Sequence, residues 1–275
     1  MARHDHDHGL HHDLERMLGR PLSRRRVFRW MAGAAAGAAV LPALGCASDD
    51  AGLDTVDAAG TDAAGGTCSI IPEETAGPYP GDGSNGVNVL TQSGVVRSDL
   101  RASFGSSTTV AAGVPLTITL SLVDASCTPL VGRAVYLWHC DRSGLYSLYS
   151  SGVTGENYLR GVQATDSVGQ VTFTSIFPVC YAGRWPHIHF EVYPSVATAT
   201  SSASKVATSQ LALPKAACDA VFATTGYSAS VSNLSQLSLA SDNVFSDDQA
   251  VRQLATVTGS VAAGYTATLT VPIAA

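Results

Sequence analysis

His187 and His189 stand two positions apart in Tyr181-Ala182-Gly183-Arg184-Trp185-Pro186-His187-Ile188-His189-Phe190. In a strand, side chains two apart share a face, so both imidazoles would point one way and Ile188 the other. Such a pair can grip a metal ion, although a His-x-His pair taken alone is common in exposed or hydrogen-bonded positions. Tyr181 precedes it in a segment that Gly183 and Pro186 bend, so its phenol can turn back toward the same point. A second phenol, Tyr146, lies in Ser143-Gly144-Leu145-Tyr146-Ser147. Phenolate is a hard anionic donor, and a mixed His and Tyr set suits ferric iron better than zinc or copper. With nine Tyr in the chain, most of them are expected to pack through the ring with one hydrogen bond; the combination carries the reading.

These residues need a frame of strands. Residues 114–123 alternate around Leu116, Ile118, Leu120 and Leu122 with Thr and Ser between, the period-two pattern of a half-buried strand. Residues 134–139, 170–175, 187–193 and 265–271 read the same way, each bounded by Gly, Pro, Asp or Ser. The expected fold is all-β: a β-sandwich of two mainly antiparallel sheets with long loops. Residues 219–248 scatter their apolar side chains among Ser, Thr and Asn, and are expected to be loops with at most a short helix.

The 275 residues suffice for one well-buried domain plus an export signal and a linker. Charged residues make up 14%, and the Ser, Thr, Val and Tyr content of the second half favours strands. Seven of the sixteen Lys+Arg and four of the twenty-two Asp+Glu fall in residues 1–45, leaving nine basic against eighteen acidic residues beyond them. That balance argues against nucleic acid as a partner.

Residues 1–46 read as a twin-arginine-type signal, with Arg24-Arg25-Arg26 before an apolar Ala- and Gly-rich run. Cys46 follows small residues and could either be lipidated, anchoring the chain to a membrane, or be lost with the signal. Residues 47–67 lack apolar periodicity and read as a flexible linker, which leaves 68–275 as the folded domain. The cluster His4, His6, His8, His11 and His12 lies upstream of the signal and is given no role. Cys68, Cys127, Cys140, Cys180 and Cys218 remain, enough for one or two disulfides of unread connectivity with a free thiol left over. Cys180 is expected to be in a disulfide or buried.

Taken together, residues 70–271 resemble the intradiol ring-cleavage dioxygenases, the family of catechol and protocatechuate dioxygenases. The resemblance rests on Ile71-Pro72-Glu73-Glu74-Thr75-Ala76-Gly77-Pro78-Tyr79, on Trp138-His139-Cys140-Asp141 with Gly144-Leu145-Tyr146-Ser147, and on Gly183-Arg184-Trp185-Pro186-His187-Ile188-His189-Phe190. Thr208-Ser209-Gln210-Leu211 and Gly264-Tyr265-Thr266-Ala267 continue it in the same order. Val179-Cys180 departs from the Gly and bulky aromatic usual before the second Tyr. The resemblance implies a non-haem Fe(III) held by Tyr146, Tyr181, His187 and His189. It also implies a catechol-type substrate opened with O2 to a cis,cis-muconate-type product, while the signal in residues 1–46 makes the chain an expected export product, periplasmic, cell-surface or extracellular. Tyr181 is then the ligand that yields to substrate and takes its proton. Arg184 would stabilise charge on the attacked ring, and Gln210 would stand beside the open coordination position. His139, at a strand end, is expected to be structural.

Two other expectations compete. A secreted β-sandwich could use its Tyr and His surface to bind carbohydrate or protein without catalysis. A copper oxidase could be built on the His-x-His pair alone.

Overall fold

The computed structural model describes residues 66–274. The signal, the N-terminal His cluster, Cys46 and nearly all of the linker lie outside the described residues. Eight strands form two four-stranded sheets, the sandwich expected from the period-two segments. One sheet contains β1 (Pro115–Val123), β4 (Gln170–Ile176), β7 (Thr256–Ser260) and β8 (Gly264–Pro272), in the order β4-β1-β8-β7. Within it β1 and β8 run parallel and the other pairs antiparallel. The second sheet is antiparallel throughout: β2 (Ala134–Trp138), β3 (Arg160–Ala164), β5 (His187–Tyr193) and β6 (Ala207–Ala212), in the order β3-β2-β5-β6.

The two sheets bury their strands differently. Strand β1 alternates as its sequence does, with Leu116, Ile118, Leu120 and Leu122 buried and the residues between them partly open. Strands β2, β5 and β6 are buried at every position, which requires cover on both faces. Ile188, Phe190 and Val192 join the core on one face, so His187, His189 and Glu191 lie on the other. The cover over that second face is made by segments without regular strands.

Residues 71–81 supply part of it as a strap. The strap is fastened by Ile71 N to Pro272 O (2.8 Å), Glu74 N to Thr208 O (2.8 Å) and Ser209 Oγ to Pro72 O (2.7 Å). A Cys68–Cys127 disulfide, with a sequence separation of 59, fixes the chain just before the strap; in the chain-entropy account a loop of that size contributes roughly 4 kcal/mol. Cys140, Cys180 and Cys218 are free and buried, so one disulfide forms among the described residues and three thiols remain. Burial pushes the Cys140 and Cys180 thiols up to about 12, which keeps them protonated and inert.

The segment 219–248 corrects the sequence reading. In place of loops with at most one short helix, the structure has α1 (Lys215–Phe222), α2 (Ser228–Ser235) and two 3-10 turns, Leu239–Ser241 and Phe245–Asp247. Helix α1 buries Ala217, Cys218, Val221 and Phe222, whereas the Ser-rich α2 buries only Ser230 and Leu234. Helices this short draw their stability from docking, so neither propensity nor periodicity announces them. Helix α2 docks on the approach to Tyr181: Cys180 N donates to Ser230 Oγ (3.1 Å), and Asn233 Nδ2 donates to Cys180 O (2.8 Å).

Candidate metal centre

The antiparallel register builds the site's floor. Arg160 on β3 lies opposite Trp138 on β2, Trp138 opposite His189 on β5, and His189 opposite Gln210 on β6. Residues directly opposite across a sheet project to the same face, so these four side chains form one row. Trp138 and His189 stack with ring centroids 5.0 Å apart and planes within 5°, which fixes the imidazole's tilt.

The four side chains expected to bind metal converge above this row in a closed quadrilateral. Tyr146 Oη is 3.4 Å from Tyr181 Oη, Tyr181 Oη 3.3 Å from His187 Nε2, His187 Nε2 3.1 Å from His189 Nε2, and His189 Nε2 3.4 Å from Tyr146 Oη. Ligand atoms about 2.0–2.1 Å from a first-row metal ion stand about 2.9–3.4 Å apart at tetrahedral to right angles, the spacing seen here. Tyr146, His187 and His189 are buried, whereas Tyr181 is only half-buried, so it stands on the open side.

Protonation also suits a cation. Burial, aided by Arg184, holds His187 well below its usual value, and burial, aided by His187, does the same to His189; both rings are neutral at physiological pH. Nδ1–H of His187 donates to Trp185 O (2.5 Å), which leaves the Nε2 lone pair facing the quadrilateral. His189 Nδ1 is buried and has no hydrogen-bond partner among the described residues. Burial, followed by the neighbouring Tyr181, raises Tyr146 well above the ordinary phenol range, so only a strongly polarising cation would displace its proton. Two neutral imidazoles and two phenols on one centre fit a hard trivalent ion.

Arg184 is held beside the centre by buried partners. Its Nε donates to Asp242 Oδ2 (3.0 Å) and its Nη2 to Gln210 Oε1 (2.6 Å), while Gln210 Nε2 donates to Thr75 O of the strap (2.8 Å). Burial works against its charge, but Tyr181, Asp242 and Tyr146 outweigh that and keep the guanidinium cationic. Arg184 and Gln210 thus stand together beside the four donors. His139 is turned away: Nδ1–H donates to Cys140 O and Nε2 accepts from Ser175 Oγ, both at 2.7 Å, and burial lowers it to about 4.

Two features escaped the sequence reading. Asp242 is fully buried, and its carboxylate accepts four bonds: Arg184 Nε, Trp185 N (2.6 Å), Val244 N (2.8 Å) and Phe245 N (2.8 Å). It therefore holds both the cation and the bend that leads into His187. Gly77 has φ +68, and a Cβ there would come within 3.3 Å of His189 Cε1; the strap passes close enough to the His189 ring that a side chain would press on it. Asp242 sits in a stretch without pattern, and Gly77, although part of the Ile71-to-Tyr79 motif, carried no assigned role.

Residues 104–203 match the family model described as "Dioxygenase". A structure titled intradiol ring-cleavage dioxygenase from Tetranychus urticae superposes with a TM-score of 0.59 at 24% identity, over 75% of this chain and 95% of that one. Chlorocatechol 1,2-dioxygenase from Rhodococcus opacus is 35% identical over 69 residues, 25% of this chain. The match spans 27% of that relative's length. The described domain has the fold of that intradiol ring-cleavage dioxygenase structure, and its residues 104–203 carry the segment that matches the family model.

Proposed function

We propose that this protein is an exported non-haem iron(III) dioxygenase that opens a catechol-type ring between its two hydroxyl-bearing carbons, taking up O2 and giving a cis,cis-muconate-type diacid. The observation that carries the proposal is the quadrilateral of Tyr146, Tyr181, His187 and His189, whose four sides measure 3.1–3.4 Å. Bound by these residues, ferric iron would supply a Lewis-acid centre that chelates the diol and brings it together with O2.

The chain's own residues divide the remaining work. Tyr146, buried and packed against the Tyr79 ring at 5.0 Å, is a fixed donor. Tyr181, on the open side, is placed to yield its position and accept a proton from an incoming hydroxyl. Arg184 is held in place by Asp242 and Gln210, in position to favour negative charge developing on the ring. The strap, with Gly77 over His189, closes one side of the centre against water. Signal cleavage ahead of 47–67 and release or lipid attachment at Cys46 complete the proposal for the mature enzyme.

Oxygen uptake against a panel of catechol, protocatechuate and hydroxyquinol, with mass analysis of the products, tests it. The expected result is consumption of one diol per O2, with both oxygen atoms in a ring-opened diacid. Absence of uptake by the iron-loaded chain with every diol, or a product opened outside the diol bond, would contradict it.

A further inference from the structure

We propose that Arg160, at the end of the sheet row away from Gln210, is a positioning residue that fixes Tyr146 and the strap relative to each other. The inference rests on the ferric reading above for its catalytic meaning, but its geometric content stands apart from it. Arg160 is 1% exposed, and a guanidinium carries five N–H donors. All five are used. Nε donates to Ser147 Oγ (3.0 Å), Nη2 to Ser147 O (3.0 Å) and Tyr79 O (2.9 Å), and Nη1 to Pro80 O (2.9 Å) and Tyr136 Oη (3.0 Å). The guanidinium carbon also lies 5.4 Å from the centroid of the Tyr149 ring.

Every acceptor is neutral, and the ion pairs formed by the described residues do not include Arg160. A buried cation without a carboxylate is costly, so its value here is geometric: no other side chain presents five donors in a rigid planar fork. Four of the acceptors fall on two segments far apart in sequence, the strap and the turn after Tyr146, and the fifth, Tyr136 Oη, is on β2. Ser147 follows the donor Tyr146, and Tyr79 lays its ring against that of Tyr146. One planar group therefore sets the separation between the turn that carries the phenol and the strap that packs on it. Gly81, with φ +67, confirms how closely the strap approaches: a Cβ there would lie 3.0 Å from Arg160 Nη1. None of the five Arg160 hydrogen bonds goes to the four donor atoms, and the clamp acts through Ser147 and Tyr79.

The test compares Arg160→Lys, Arg160→Met and Gly81→Ala with the parent full-length chain, and uses Val171→Ala in the opposite sheet as a purely destabilising control. Two readouts are taken below the melting midpoint of each protein. In metal-free protein, amide hydrogen exchange at residues 79–83 is expected to accelerate at least 10-fold in the Arg160 and Gly81 variants, while exchange in β1 stays as in the parent. In iron-loaded protein, the Arg160 variants are expected to shift the visible phenolate band and raise KM for catechol about 10-fold, with a smaller change in kcat; Val171→Ala is expected to move neither. Lys is not expected to rescue Met, because three donors on a point charge cannot serve five fixed acceptors. Folded Arg160 variants with parental exchange at 79–83 would overturn the proposal, and so would a parental band and KM. If an Arg160 variant does not fold, Gly81→Ala decides by the same readouts. A colourless, iron-free parent would instead defeat the ferric reading and leave the exchange result to judge the clamp.

Discussion

Two buried arginines flank the four donors, Arg184 beyond Gln210 and Arg160 at the opposite end of the row, and their environments differ. Arg184 faces a carboxylate, Asp242, that is itself fully buried and saturated with four hydrogen bonds. Arg160 faces only carbonyls and hydroxyls. A cation near the reacting centre must keep its charge, and an acid partner secures that charge while directing the guanidinium. A cation farther away serves as a planar clamp, for which five neutral acceptors suffice. The centre thus separates an electrostatic arginine from an architectural one.

The largest effect is expected where the charged end is broken. Asp242→Ala leaves Arg184 buried without a counter-charge and strips three backbone amides of their acceptor, so stability should fall by about 3–5 kcal/mol. Denaturant melts of the metal-free protein measure this, and a loss within error of zero would show that the pair is not the anchor described. Arg184→Ala removes the cation itself. It should leave iron content and colour intact and slow turnover roughly 100- to 1000-fold, as loss of one preorganised electrostatic donor does; an unchanged kcat would reduce Arg184 to packing.

A smaller effect is expected at the strap. Gly77→Ala forces a left-handed backbone on a residue with a Cβ, costing about 1–2 kcal/mol, and presses on His189; thermal melts and iron titration report the two consequences. The smallest concerns pH. Burial raises Glu74 to about 7 from 4.5, against the opposing bond from Gln253, with Asp247 and Asp248 adding to the rise. Because the folded state binds the proton more tightly, this contribution is fully present below 4.5 and is lost as pH rises through about 7. Glu74→Gln should therefore lose less stability than the parent between pH 4.5 and 8, and parallel melting curves for the two proteins would refute the assignment.

Much of this architecture was legible in the sequence, for reasons that also mark where legibility stops. The alternation of Leu116, Ile118, Leu120 and Leu122 announced β1 because one of its faces is buried. The His187-x-His189 spacing announced a shared face for the same geometric reason. Strand β3, in contrast, is five residues long and begins with Arg160, and a buried charge breaks the pattern by which buried strands are found. Helix α2 is half Ser and buries two side chains, so its existence depends on contacts with 177–180 that no local window contains. Asp242 gains its role only when the fold brings it to Arg184 from 58 residues away.

The central claim is that two phenols and two imidazoles share one ferric ion, and iron analysis with visible spectroscopy tests it most directly. The parent chain, loaded with Fe(III), should hold one iron per chain and show a broad phenolate-to-iron band that dithionite abolishes. His187→Ala and Tyr146→Phe should each lose iron, with the band weakened or absent. A parent that stays colourless in excess Fe(III), or a His187→Ala variant with full iron content and an unaltered band, would contradict the account.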